Sequence, residues 1–167
     1  MVTVRARDEY WAAVGAVLDP EVPVLSVIDL GIVRDMREEG GTVVVDVTPT
    51  YSGCPAMRTI EHDIIEALQQ AGAATVKVNT VFQPAWTTDW ISPDARERLR
   101  AYGIAPPSGA AAVATELIPL QRRAETIACP RCNSRNTERR SEFGSTACKS
   151  IYYCVSCAEP FEYFKPL

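Results

Sequence analysis

The chain has 167 residues, 47% hydrophobic and 23% charged, and its 17 Lys and Arg against 21 Asp and Glu leave a net charge of -4. These globular proportions exclude a fibrous or wholly disordered class. The acidic balance argues against nucleic acid as a partner, which would call for clustered basic side chains along the phosphates.

No run approaches the ~20 apolar residues needed to cross a bilayer, so no membrane partner is expected. The N-terminus, Met-Val-Thr-Val-Arg-Ala-Arg-Asp-Glu-Tyr, lacks the apolar core of a secretory signal, and the cytoplasm is the expected compartment.

In chain order, Trp11, Val14, Val17 and Leu18 recur at helical spacing and predict a first helix over residues 8–18. Asp19-Pro20 stops it, because proline disfavours helix in the residue before it. An ordered loop, Glu-Val-Pro-Val-Leu-Ser-Val-Ile-Asp-Leu-Gly, leads to strands over Ile32–Met36 and Thr42–Thr48 flanking Glu-Glu-Gly-Gly, a hairpin signal. In the second strand Val43, Val45 and Val47 share the face expected to meet a core, with Val44, Asp46 and Thr48 on the other.

From Pro55, the positions Met57, Ile60, Ile64, Ala67 and Leu68 repeat every three or four residues, predicting an amphipathic helix that ends near Ala71-Gly72. Val76–Phe82 reads as a third strand, parallel to the second because a helix crosses between them. Ser92-Pro93 opens a further helix that Tyr102-Gly103 ends. The expected fold class is α+β: a small three-stranded mixed sheet with packed helices over residues 1–105, a Pro- and Ala-rich linker over 106–125, and a separate tail over 126–167.

In that tail Cys129-Pro-Arg-Cys132 and Cys154-Val-Ser-Cys157 form two C-x2-C units 21 residues apart. Each tight turn presents two thiolates, and two turns supply four soft ligands for one structural zinc ion at about 2.3 Å. With residues 137–143 and 148–153 as a hairpin between them, the tail reads as a four-cysteine zinc ribbon. Some forty residues bury too little apolar surface to fold without such a staple. Iron in the same four thiolates, a disulfide pair or a redox C-x-x-C are the alternatives. Cys148 is surplus, either a small buried side chain or a substitute ligand or reactive site.

Cys54 stands apart, in Thr-Pro-Thr-Tyr-Ser-Gly-Cys-Pro-Ala-Met at the second strand's exit. Placed just before Pro55 it would meet the helix N-terminus, where the partial positive charge favours thiolate, and Gly53 would allow a tight turn. It reads either as a reactive sulfur or soft metal ligand, or as a small plug under the helix. Asp19 and Glu21 either organise the turn after the first helix or reach Cys54 or a metal. Trp86 and Trp90 read as core or as a partner surface, and the single histidine, His62, as an exposed helix residue. There is no phosphate-binding glycine loop and no nucleophile with a nearby base in sequence, so an independent enzyme is not expected.

Asp19-Pro20-Glu21-x-Pro23, Asp29-Leu30-Gly31-Ile32-Val33, Thr48-Pro49-Thr50, Gly53-Cys54-Pro55 and the Trp86 segment together resemble the small domain of the iron-sulfur assembly family that includes SufT-like proteins, over roughly residues 7–105. With the ribbon and its Glu142-Phe143-Gly144-Ser145-Thr146-x-Cys148-Lys149, the whole chain resembles the accessory subunits of bacterial phenylacetyl-CoA epoxidase systems.

The resemblance implies a non-catalytic role in aerobic phenylacetate catabolism: maturation of a multicomponent oxygenase, with delivery of an iron-sulfur cluster to its reductase component. Its implied partners are the oxygenase and reductase proteins and the iron-sulfur assembly machinery. It makes Cys54 the reactive cysteine, with Asp19, Glu21 and Thr50 at supporting loop positions and a transient iron or iron-sulfur cluster as cargo. One thiolate cannot hold a cluster, so a homodimer across Cys54 or a partner's ligands would complete it.

Overall fold

The computed structural model describes residues 4–107 and 126–166. The expected linker, 106–125, lies outside the described residues apart from Pro106 and Pro107. The chain divides into two compact units, one reaching to Trp86 and resuming over Trp90–Ala95, the other made of Thr87–Asp89 and the chain from Arg96 onward.

In the first unit α1 spans Val4–Gly15, β1 Val33–Glu39, β2 Thr42–Val47, α2 Met57–Gln70 and β3 Thr75–Thr80. The sheet order is β1-β2-β3, with β1 antiparallel and β3 parallel to the central β2. The mixed three-stranded sheet is thus the one the sequence predicts. Gly40 and Gly41 both have positive φ, 58° and 85°, and make the two-residue hairpin whose twist matches its strands.

α1 ends at Gly15, short of the expected residue 18. Asp19 Oδ1 accepts the N–H groups of Glu21 and Val22, both at 2.8 Å, and Leu18 bridges Ser26, so the chain leaves the helix to close a loop. Leu18 is left exposed. Further on, Ser26 and Asp29 bond reciprocally: the Ser26 N–H and hydroxyl donate to Asp29 Oδ2, and the Asp29 N–H donates to Ser26 Oγ. This pairing has the logic of a helix capping box and makes the loop an ordered one.

α2 buries Met57, Ile60, Ile64 and Leu68 and ends in a Schellman turn, with the Ala73 N–H on the Leu68 carbonyl, the Gly72 N–H on that of Gln69, and Gly72 at φ 99°. Both faces of β2 are covered, not one: Val43, Val45 and Val47 are buried, and so is Val44. Val44 lies in register between Arg37 and Lys77, whose aliphatic stems can shield it while their charged ends stay wet. On that same face Asp46 accepts from Asn79 Nδ2 at 3.0 Å and from Arg37, which also reaches Asp35 and Glu39.

α3 spans Pro93–Tyr102, with the Ser92 hydroxyl accepting the Ala95 N–H at 3.1 Å and Gly103 at φ 99° beyond its end, both as expected. The unit division falls inside α3, whereas composition ends the first domain at residue 105.

In the second unit β4, Ile104–Ala105, pairs in parallel with β7, Glu159–Phe164, giving a sheet of order β4-β7-β6-β5 with β5 at Thr137–Ser141 and β6 at Lys149–Cys154. The expected β5–β6 hairpin is present; β4 and β7 are additional. Arg96 donates to the carbonyls of Thr88 and Pro107, both at 2.7 Å, within this unit. Its core is small: Ala105, Ile127, Cys129, Tyr152, Cys154, Phe161 and Tyr163, with Tyr152 stacked on Phe161 and edge-on to Tyr163.

Two outcomes test the packing and the charge pairing. At Gly31, φ is 67° and an added Cβ would stand 2.7 Å from Trp90 Cβ, so Gly31→Ala is expected to lower unfolding free energy by about 2–3 kcal/mol, read from denaturant midpoints. Burial raises the carboxyl pKa of Asp46, but the hydrogen bonds from Asn79 and Arg37 outweigh it and hold it below its ordinary 3.8. That contribution is complete above pH 3.8 and is lost as pH falls through the lower folded value. The stability deficit of Asp46→Asn is therefore expected to be constant from pH 7 to about 5 and to shrink below about pH 4.

Candidate functional site

The antiparallel β1–β2 and parallel β2–β3 registers bring three loops to one end of the first sheet. Val33 lies opposite Val47, and Val47 is paired in turn with Thr80. The chain entering β1, the chain leaving β2 and the chain leaving β3 therefore emerge together. Hydrogen bonds stitch them: the Thr48 N–H to the Ile32 carbonyl and the Val81 N–H to the Val47 carbonyl, both at 2.8 Å. Open sheets place ligand sites at the carboxyl ends of their strands for this reason.

The first loop carries Asp19 and Glu21, the second Thr50 and Cys54, and the third Trp86 and Trp90. Asp19 is 6% exposed and its Oδ1 organises the turn that displays Glu21, so the turn role holds for this carboxylate. Thr50 and Cys54 are partly exposed. Cys54 lies in a turn closed by its own N–H on the Tyr51 carbonyl at 3.1 Å. The helix begins later than expected, at Met57 with Ala56 as N-cap, which leaves Cys54 two residues before the cap instead of at it. Nor does the backbone force Gly53: its φ is not positive, and an added Cβ would meet only the Tyr51 ring at 3.7 Å.

Thr48, expected on the outward face of the second strand, is 2% exposed, and its hydroxyl has no hydrogen-bond partner among the described residues. Trp86 is buried and its Nε1 donates to the Leu30 carbonyl at 2.8 Å, tying the third loop to the first. Trp90 takes the Arg34 guanidinium over its ring at 3.4 Å. His62 is on an exposed face of α2 beside Asp63 and Glu66.

The second site is the four-cysteine node. The sulfurs of Cys129, Cys132, Cys154 and Cys157 all lie within 4.8 Å of one another, with Cys129 to Cys157 at 3.8 Å and Cys132 to Cys154 at 3.5 Å. Ligands at about 2.3 Å in tetrahedral directions stand roughly 3.8 Å apart, so the sulfurs fit a metal ion of zinc's size, and no sulfur pair is at the roughly 2.05 Å of a disulfide.

The two turns are built alike. Each places the residue after its second cysteine in the left-handed region, Asn133 at φ 61° and Ala158 at φ 58°. The Ser134 and Ser156 hydroxyls meet at 2.7 Å between them. The Cys157 N–H pulls the Cys154 thiol down to about 7, while desolvation pushes Cys157 up to about 12. Thiols so close cannot all ionise side by side, and a cation in their midst takes the place of their protons.

Cys148 is 8% exposed with the Thr146 hydroxyl 3.0 Å from its sulfur, and stands outside the node. Arg139 and Arg140 are paired with Glu142 and Glu138. No helix among the described residues is long and apolar enough to cross a membrane.

A three-stranded mixed sheet with a thiol loop at one end, followed by a four-cysteine ribbon, defines a two-part α+β class of protein. Residues 7–80 match the family model described as iron-sulfur cluster assembly protein, and residues 115–165 the one described as PaaD zinc beta ribbon domain. A protein of Escherichia coli strain K12, provisionally named as a component of 1,2-phenylacetyl-CoA epoxidase, is 51% identical over 94% of this chain and 91% of its own length. The chain belongs to that family of PaaD-type epoxidase components.

An Fe-S protein maturation auxiliary factor of Porphyromonas gingivalis is 36% identical over 47% of this chain and 76% of its own. The crystal structure of a domain of unknown function, DUF59, from Bacillus anthracis superposes with a TM-score of 0.52 at 28% identity, covering 57% of this chain and 92% of that one.

Alanine in the left-handed region is strained, and glycine is not. Ala158→Gly is expected to raise the ribbon's stability by about 0.5–1 kcal/mol, measured as a higher melting temperature at equal metal content.

Proposed function

We propose that the chain is an accessory factor of a phenylacetyl-CoA epoxidase system that assists iron-sulfur cluster assembly or transfer on the reductase component, and that it is not itself an enzyme. The observation that carries this reading is a partly exposed Cys54 at the sheet end where three loops converge, in a domain matching the iron-sulfur assembly family. Family membership supports the epoxidase system as the setting, and with it a cytoplasmic location.

Cys54 supplies one thiolate to visiting iron or a cluster, which is cargo and not a resident group. Transfer is ligand exchange: a client thiolate takes the coordination position, the Cys54 sulfur gives it up, and a proton passes from the client thiol to the released sulfur by way of solvent. No electron changes hands. Asp19 holds the turn that carries Glu21, and Thr50 belongs to the thiol loop; these are the supporting positions. Because a cluster needs more ligands than one chain offers here, a second copy or the client completes the set during handover.

The ribbon node holds one zinc ion through Cys129, Cys132, Cys154 and Cys157. Four protein thiolates leave no open coordination position, so this zinc stabilises the fold and the ribbon serves to dock the client.

Anaerobic reconstitution tests the thiol. Cys54→Ser is expected to load cluster onto the reductase roughly tenfold or more slowly than the parent protein while keeping about one zinc per chain and its affinity for the client. Equal loading by both proteins would remove the transfer role and leave a bridging component that handles no cluster.

A further inference from the structure

The motif Glu142-Phe143-Gly144-Ser145-Thr146-x-Cys148-Lys149 is not used by either cysteine site, yet its loop is heavily braced. Lys149 is only 2% exposed, and its ammonium donates to Glu162 Oε2 at 2.8 Å. The other oxygen of that carboxylate accepts the Ser145 N–H at 3.1 Å and the Ser145 hydroxyl at 2.8 Å. Burial works against the Glu162 charge, and these bonds outweigh it, holding the carboxyl below its ordinary value.

Gly144 passes so close that an added Cβ would stand 3.0 Å from Glu162 Oε1 and 3.3 Å from Lys149 Cβ. Its N–H donates to the Lys149 carbonyl at 2.7 Å. The Ser141 hydroxyl bonds both the N–H and the carbonyl of Phe143, at 3.2 and 2.7 Å, and Lys165 reaches the Glu142 carbonyl at 3.1 Å.

What this bracing displays is Phe143. The residue is 62% exposed, the highest value among the large exposed hydrophobics of the described residues, and the Lys165 ammonium lies 4.5 Å from its ring centroid. A buried ion pair is weak evidence for stability, because desolvating both charges offsets most of their attraction, and its best-attested use is to hold one conformation. An aromatic side chain held in one place loses little entropy on docking, and such residues carry a large share of binding energy at interfaces.

We propose that Phe143, on its braced loop, is the anchor by which the ribbon docks the reductase component, entering an apolar pocket whose rim carries carboxylates that face Lys165. The acidic rim follows from the local charge, because the Lys165 ammonium stands beside the ring, 4.5 Å from its centroid. This inference rests on the accessory role proposed above and names the surface that role uses.

The test uses the full chain and the purified oxygenase and reductase components, with dissociation constants measured by calorimetry at two salt concentrations. Phe143→Ala is expected to weaken binding to the reductase about tenfold or more while zinc content and melting temperature match the parent. Phe143→Leu should restore part of the affinity, and Lys165→Gln should reduce both affinity and its salt dependence. Tyr102→Ala, which removes another exposed aromatic of the same unit, is the control and should change nothing.

Binding of Phe143→Ala to the reductase within twofold of the parent, a loss equal to that of the control, a loss confined to the oxygenase, or no binding of the parent to the reductase each overturns the proposal. Cluster loading that still depends on Cys54 while Phe143→Ala binds normally would sink this inference alone and leave the transfer role standing.

Discussion

Strand β2 is the constraint on which the first unit depends. It is bonded along both edges, antiparallel to β1 and parallel to β3, and its residues Val43, Val44, Val45 and Val47 are all buried. A slip of one residue against either neighbour would exchange the faces of every side chain on it. The same double pairing is what gathers three connections at one end of the sheet. A purely antiparallel meander would have sent the chain leaving β3 elsewhere. The parallel return, made possible by α2, aligns the exit of β3 with the exit of β2 and so places the tryptophan loop beside the thiol loop.

The two kinds of cysteine are distinguished by their surroundings. The four ribbon sulfurs converge from two turns of the same design, and two of them, Cys129 and Cys154, belong to the core with Tyr152, Phe161 and Tyr163. Cysteine node and apolar core are therefore one object, as expected of a unit too small to rely on burial alone. Cys54 belongs to no such cluster among the described residues. It sits in a surface turn, partly exposed, ahead of a helix that buries its own apolar stripe.

Much of the fold was legible in particular residues. The Glu-Glu-Gly-Gly hairpin, the stripe of Met57, Ile60, Ile64 and Leu68, the Ser92 cap and the Gly72 and Gly103 stops are local signals, each tied to a backbone requirement within a few residues. β7 carries a fainter one, the alternation of Phe161 and Tyr163 with Glu162, too short a period-two run to stand out beside the last cysteine. The early end of α1 has no comparable signal, since Val17 and Leu18 continue the helical spacing. The competing structure there is a loop closed by the Leu18–Ser26 bridge and the Asp19 turn.

By itself the sequence determined the local chemistry of this protein: which turns need glycine, which face of α2 is apolar, and that two C-x2-C turns offer four thiolates. These depend on neighbours along the chain, so they can be read from it. Only the tertiary structure decided that Val44 and Thr48 are buried, that Gly31 must be small because Trp90 lies against it, and that Glu162 closes on Ser145 and Lys149 to brace the Phe143 loop. Each of those facts is a contact between segments distant in sequence. Their meeting is set by strand register and sheet order, which local spacing does not encode.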